Sequence, residues 1–356
     1  MAPPSRVRVA LLVSFSVFLT VVLGFGLPTL LNAGIRILGL QETSVTECIV
    51  VLYLVFVLYI ATPRIPRGQV QVRGKAVLIT GCDRGFGHEL AKHMHKVGFK
   101  VFAGCLLKAE KGEGAKKLEE LCSDRMKVLQ LDVCSQEQVD RAVEYIQDNL
   151  ENSGLWAVIN NASLSTFGEV EFTSMDTYKQ VSEVNLWGTI RVTNAVLPLI
   201  RRARGRVVNL ASVYGRMGNA MRSSYCVSKY GVEAFSDCLR HEMKNWGVKV
   251  SIVELGYFKV SRETLASTST RLWSEATAGV KEDYGMAHFE QQMALMRSQC
   301  SSGSGQMDVA SVLEDITDAV VSKHPYTRYT PCEPHCWIRV QLTTHLPAAV
   351  TDFFYS

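Results

Sequence analysis

The stretch ASVYGRMGNAMRSSYCVSK, residues 211 to 229, sets Ser212 thirteen residues before Tyr225 and places Lys229 four residues after it. A phenol is a poor base near neutral pH, because its ordinary pKa is about 10. A lysine one helical turn further on lies on the same face, and its charge favours the phenolate. Ser212 can then hold an oxygen by a hydrogen bond while Tyr225 exchanges that oxygen's proton. Interconversion of a carbinol and a carbonyl asks for this pair of tasks, a base for the hydroxyl proton and a donor to the developing oxyanion. Arg216 and Arg222 lie on the loop between Ser212 and Tyr225, and two readings fit them. Each is either a bidentate anchor for a substrate carboxylate, with Lys259 as the fallback, or a solvated loop charge.

Such a group needs a scaffold, and the chain supplies one. KAVLITGCDRGFGHELAKHMHKVGFKVFAG, residues 75 to 104, reads as strand, glycine-rich turn, helix and strand. Gly81, Gly85 and Gly87 let the backbone turn tightly and bring amides at a helix amino terminus against a pyrophosphate; Thr80, Asp83, Arg84 and Phe86 belong to the same loop. Further strands are expected at 126–133, 155–163, 205–212 and 248–256, with helix-length segments between them. This alternation predicts an α/β fold, a Rossmann-type doubly wound parallel sheet with helices on both faces and ligands at the carboxyl ends of the strands. Asp132, Asn160, Ser212 and Gly256 fall at such ends, and Asp132 and Asn160 are expected to join the loop in holding a dinucleotide.

At 356 residues and 47% hydrophobic content the chain can bury a substantial core, and a formal charge of +4 without any basic run argues against a nucleic-acid partner. Its ten cysteines follow no repeating frame, and Cys82, Cys105 and Cys134 sit in or just beyond strands, which suggests reduced thiols. Cys332, His335 and Cys336 lack a second pair of ligands, so no metal site is expected. Residues 1–62 read as a membrane anchor with an apolar run at 9–31 and a shorter one at 48–61, making one or two spans. Arg6 and Arg8 before the first run and Arg64, Arg67, Arg73 and Lys75 after the second put both positive flanks of a hairpin on one side, cytosol or matrix. A cleaved targeting segment is the rival. Residues 63–74 read as a linker, 75–330 as the catalytic domain and 331–356 as a tail.

TGCDRGFG, NNAS, Asn185, Ser212 and YCVSK, in this order and spacing, resemble the short-chain dehydrogenase/reductase family over roughly residues 74 to 330. The resemblance implies a nicotinamide cofactor and a catalytic set of Asn185, Ser212, Tyr225 and Lys229. Asn185 would hold a water that relays protons to Lys229, and Tyr225 and Lys229 would also contact the cofactor. STFGEVEFTSMDTYKQVSEVNLWGTIRVT and GVEAFSDCLRHEM look most like the branch that acts on 3-hydroxybutyrate in mitochondria and depends on phosphatidylcholine. Membrane-anchored hydroxysteroid and retinol dehydrogenases are similar too, which leaves an endoplasmic reticulum membrane facing the cytosol as the alternative compartment. A silent nucleotide-binding scaffold is the rival from another class. Ser163 and Leu255 depart from the family, which usually has glycine and proline there.

The cofactor stays open between NAD, used by the similar branch, and NADP, which Arg84 favours, because the strand expected to end in VFAGCLLK has no acid for the adenosine ribose. Residues 257–305, with Trp273, Met286, Phe289, Met293 and Met296, are expected to form an amphipathic substrate lid. In the tail, Trp337, Ile338, Val340, Leu342 and Leu346 suit either a phospholipid surface or a homo-oligomer interface.

Overall fold

The structure, a computed structural model, describes residues 14, 18, 22, 26–39, 68–150, 154–256, 262–301, 308–347 and 351–352. The chain divides into two units at residues 68 and 69. In the first, helix α1 (Leu27–Ile37) is 11 residues long. Among the described residues no helix is long and apolar enough to cross a membrane. The apolar run 48–61 lies outside the described residues, as does most of 9–31.

In the second unit, seven short segments pair as strands: β1 (Ala76–Thr80), β2 (Lys100–Cys105), β3 (Met126–Gln130), β4 (Ala157–Asn160), β5 (Arg206–Ser212), β6 (Lys249–Leu255) and β7 (Arg328–Tyr329). They run in the order β3-β2-β1-β4-β5-β6-β7, and every pair is parallel. Helices α2 (Gly85–Val97), α3 (Glu113–Glu119), α4 (Gln136–Asp148), α5 (Met175–Ser182), α6 (Gly188–Ala203) and α7 (Ser223–Glu242) form the crossovers. Helices α8 (Arg262–Glu275), α9 (Ala278–Ser301), α10 (Val309–Val321) and α11 (Pro334–His345) follow β6.

Alternate strand residues go to opposite faces, so both faces are apolar and both are covered. Val77 and Ile79 pack with Leu90 and Met94 of α2 and Val312 and Ile316 of α10. Ala76 and Leu78 pack with Val139 and Ile146 of α4 and Val192 and Val196 of α6. The chain leaves β1 towards β2 and β3, then crosses back to β4, and this reversal opens a crevice at the carboxyl ends of β1 and β4 where such sheets bind ligands.

The strands are shorter than the sequence suggests. β3 stops at Gln130 rather than 133 because Asp132 turns the chain, its Oδ1 accepting from the Cys134 amide at 2.9 Å. In the described part of the expected lid, Leu272 of α8 and Phe289, Met293 and Met296 of α9 are buried with Phe167 and Phe172 in a separate core. Met286 is exposed instead, just after a break in α9 at Gly285, φ 71° and ψ 162°. The tail also corrects an expectation. Val340, read as an outward apolar group, is fully buried with Cys336 against Val213, Tyr214, Met217 and Tyr225, so α11 forms part of the wall behind Tyr225.

Candidate active site

The glycine loop is held from below by hydrogen bonds. Thr80 Oγ1 accepts from the amides of Asn161 and Ala162, both at 3.0 Å, and Asn161 Nδ2 donates to the carbonyls of Thr80 at 2.8 Å and Gly81 at 3.0 Å. Gly81 has φ +72°, and a Cβ there would come within 2.9 Å of Ala162 Cα; a Cβ on Gly87 would run into the Gly81 carbonyl oxygen. Arg84 precedes α2 with no side-chain cap, so no side chain of the cap residue takes the first amides of the helix at the crevice. Gly85 and Phe86 open that helix, Arg84 is exposed and Phe86 packs on the core. Residues of this kind fit a pyrophosphate.

Two of the expected cofactor residues behave differently from the sequence reading. Asn160 turns inward, its Nδ2 donating to Thr193 Oγ1 and Asn209 Oδ1, both at 2.8 Å; its neighbour Asn161, passed over in the sequence, reaches the glycine loop. The second Asn of NNAS was the available signal. Asp83 spans the gap to the exit of β2, where its two carboxylate oxygens accept from the amides of Leu106 and Leu107, each at 2.8 Å. Sequence position alone left that exit without an acid, and the turn of the glycine loop brings one there.

β5 ends on Ser212 and α7 carries Tyr225 and Lys229, while Asn185 sits in a π-helical turn (Glu183–Trp187) between α5 and α6. All four catalytic candidates are buried, at 6% exposure or less. Ser212 Oγ donates to the Leu255 carbonyl at 3.1 Å and accepts from the Tyr214 amide at 3.3 Å. Lys229 Nζ donates to the Leu210 carbonyl at 2.8 Å and lies 5.6 Å from the centre of the Tyr225 ring. Asn185 is fully engaged: its Oδ1 accepts from Ser163 Oγ at 3.1 Å and the Leu164 amide at 2.7 Å, and its Nδ2 donates to the Leu164 carbonyl and Ser228 Oγ, both at 2.9 Å.

The protein environment without ligand reverses one expectation. The phenol of Tyr225 is pushed up to about 12 because burial disfavours its anion, although the neighbouring hydroxyls of Ser212 and Ser163 and the charge of Arg222 pull the other way. Lys229 is itself pushed down to about 8 by burial, with Glu233 opposing. Desolvation therefore outweighs the helix-face charge effect on which the sequence reading relied. Burial also holds Cys82 and Cys105 up, Cys105 to about 12, so these thiols are poor nucleophiles.

The two arginines separate. Arg216 Nη1 meets Glu254 Oε1 at 2.9 Å, and that carboxylate, 1% exposed, also receives Arg328 Nη1 at 3.0 Å. Through Arg328, Arg216 belongs to a partly buried charge network that includes Glu233 and Asp237. Arg222 Nη1 donates to Ser165 Oγ at 3.2 Å and the Thr166 carbonyl at 3.4 Å, has no carboxylate partner among the described residues and acts on the phenol of Tyr225 by its charge. Lys259 lies outside the described residues. His335, exposed, has its Nδ1 3.2 Å from Glu333 Oε2, and Cys336 is buried.

A family model described as short chain dehydrogenase matches residues 75–270. The chain belongs to the short-chain dehydrogenase family. It is 52% identical over 292 residues to D-beta-hydroxybutyrate dehydrogenase, mitochondrial, of Bos taurus, covering 80% of this chain and 84% of that protein. It is 42% identical over 263 residues to retinol dehydrogenase 7 of Rattus norvegicus, 73% and 81% of the two chains, and 37% identical over 290 residues to 17-beta-hydroxysteroid dehydrogenase type 6 of Homo sapiens, 79% and 88%. A short-chain dehydrogenase structure from Streptomyces avermitilis, 24% identical, shares the fold with a TM-score of 0.58 over 79% of this chain and 96% of that one.

The chain is therefore an oxidoreductase acting on a small molecule with a nicotinamide cofactor. The nicotinamide supplies or accepts the hydride when bound. What the arrangement can do chemically is handle a proton at one oxygen: the Tyr225 phenol can take or give it, and Ser212 Oγ can donate to an oxygen on which charge develops. Lys229, buried with its Nζ 5.6 Å from the ring centre, can stabilise a phenolate in the same low-dielectric setting that makes the unaided phenolate costly.

Proposed function

We propose that this dehydrogenase interconverts (R)-3-hydroxybutyrate and acetoacetate with NAD. The observation that carries the substrate is Arg222, a guanidinium close enough to the Tyr225 phenol to act on its charge, without a carboxylate of its own among the described residues. A hydroxy acid brings the missing carboxylate, and its hydroxyl then lies beside Tyr225 and Ser212. The 52% identity to the bovine mitochondrial enzyme supports the same substrate. Arg216, spent on Glu254, is a structural cation in this reading.

Asp83 supports NAD over NADP. Its carboxylate, fixed at the β2 exit, keeps lone pairs for an adenosine ribose hydroxyl and repels a 2′-phosphate. Asp132, Tyr225 and Lys229 complete the cofactor contacts by family resemblance. Residues 1–62 anchor the enzyme in a phospholipid membrane, the mitochondrial inner membrane on its matrix side, with 63–74 as linker; the named compartment of the bovine relative and the unit boundary at residue 68 support this. Assembly as a homo-oligomer is supported by the half-exposed Trp187 beside α4 and α6.

The test is initial-rate oxidation of D-3-hydroxybutyrate, estradiol and retinol by the full chain in phosphatidylcholine vesicles, each with NAD and with NADP. Rapid turnover of hydroxybutyrate with NAD is expected. Activity confined to the lipophilic alcohols would overturn the substrate.

A further inference from the structure

We propose that His288 is a positioning residue for substrate binding: by holding Glu169 it fixes the loop edge on which Arg222 is docked. Three contacts make that edge. The Gly168 amide donates to the Met221 carbonyl at 2.8 Å, Gly168 and Arg222 pair as a parallel bridge, and Arg222 Nη1 donates to Ser165 Oγ and the Thr166 carbonyl. Residues 165–168 therefore support the guanidinium directly, and a shift of this edge shifts Arg222.

The next residue, Glu169, is held from α9. His288 Nε2 lies 3.1 Å from both carboxylate oxygens of Glu169, and the two side chains are partly buried. An ionised carboxylate only accepts, so Nε2 carries the hydrogen and shares it between the two oxygens. The residues are 119 apart in sequence, so the bond ties α9 to the loop where the chain itself does not. Beside it the contact is apolar, with Phe289, Met293 and Met296 of α9 packed on Phe167 and Phe172. Apolar burial is non-directional and does not set where along the loop the helix rests, whereas a bond to one carboxylate does.

Tyr284, one turn before His288, has its ring 5.1 Å from the imidazole, so ring packing has to be separated from the hydrogen bond. Tyr225 lies in a different cluster from α9, so proton transfer is expected to survive loss of the bond. The inference rests on Arg222 as the carboxylate anchor.

Four variants of the full chain in phosphatidylcholine vesicles test it. His288→Phe keeps a ring beside Tyr284 and loses the donor, His288→Gln keeps a donor and loses the ring, Glu169→Ala removes the acceptor, and the fourth combines His288→Phe with Glu169→Ala. His288→Phe is expected to raise the KM for 3-hydroxybutyrate about fivefold, with kcat and the cofactor Kd within about twofold of parental. Glu169→Ala should match it, and the double variant should be no worse than either, because all three break one bond. His288→Gln should stay near parental. Hydrogen exchange at the Gly168 amide needs no substrate, and it should quicken in the phenylalanine and alanine variants but not in the glutamine one. Parental KM and exchange in His288→Phe would overturn the proposal, as would additive losses in the double variant or a glutamine variant worse than the phenylalanine one. Arg222→Ala, measured alongside, separates the two readings. Parental KM in Arg222→Ala would remove the anchor and this inference with it; a raised KM there beside a parental one in His288→Phe would overturn this inference alone.

Discussion

The glycine loop and the proton-transfer group lie at the same crevice but are built on opposite principles. The loop is made of backbone: Gly81 and Gly87 clear space, and Thr80 and Asn161 satisfy the amides and carbonyls that the turn leaves over. The proton-transfer group is made of ionisable side chains held where none of them is comfortable. Burial raises Tyr225 to about 12, lowers Lys229 to about 8 and, aided by the like charge of Glu254, raises Glu233 to about 7. The first region should fail by steric collision, and the second by loss of electrostatic balance.

The largest effect should come from removing the proton carrier. Tyr225→Phe is expected to lower kcat about a thousandfold while leaving the cofactor Kd within a few-fold, as measured by cofactor fluorescence. Turnover near the parental rate would show that the proton moves through another group. Gly87→Ala is the complementary lesion. The added methyl meets the Gly81 carbonyl and Asn161 Nδ2, so cofactor affinity should fall about a hundredfold, with the proton-transfer group left intact.

The arginine pair sharpens the comparison within one loop. Arg222→Ala should raise the KM for 3-hydroxybutyrate about tenfold or more and leave thermal stability nearly unchanged. Arg216→Ala should do the reverse, costing about 1–3 kcal/mol by exposing the buried Glu254 to an incomplete set of partners, with KM close to parental. Exchange of these two outcomes would reverse the roles assigned to them.

Glu233 gives the smallest and most pH-dependent effect. Its carboxyl is raised from 4.5 to about 7 in the fold, because burial and Glu254 outweigh the attraction of Arg328, which gains from the contact. The folded protein therefore binds this proton more tightly than the unfolded chain does. That stabilisation is complete below about pH 4.5 and is lost as pH rises through about 7. Glu233→Gln is expected to flatten the fall in thermal midpoint across this window, a difference on the order of 2 kcal/mol at pH 8. A parental midpoint that rises through the same window would contradict the direction.

Much of this site was legible in the chain. The order of strands and helices, the glycine spacing and the Ser212, Tyr225 and Lys229 group follow from local periodicity, and each element needs only its own residues to declare itself. The β3 boundary was misplaced because Asp132 ends the strand through a side-chain bond to Cys134 rather than through a glycine or proline. The role of Asn161 was hidden because two adjacent amides look alike until the sheet decides which points to the loop. The sign of the Tyr225 shift was missed because the sequence shows a lysine one turn away but not the dryness around both groups.

What the sequence by itself determined is the parallel α/β scaffold, the glycine-rich turn after its first strand and the placing of Ser212 at a strand end with Tyr225 and Lys229 on one helix, since periodicity and spacing along one chain suffice for these. Only the tertiary structure decided that Asp83 accepts the amides at the β2 exit, that Arg216 is spent on Glu254 while Arg222 bonds Ser165 and the Thr166 carbonyl, and that α11 packs behind Tyr225. Hydrogen bonds and desolvation depend on which distant segments share a volume, and spacing along the chain carries no record of that.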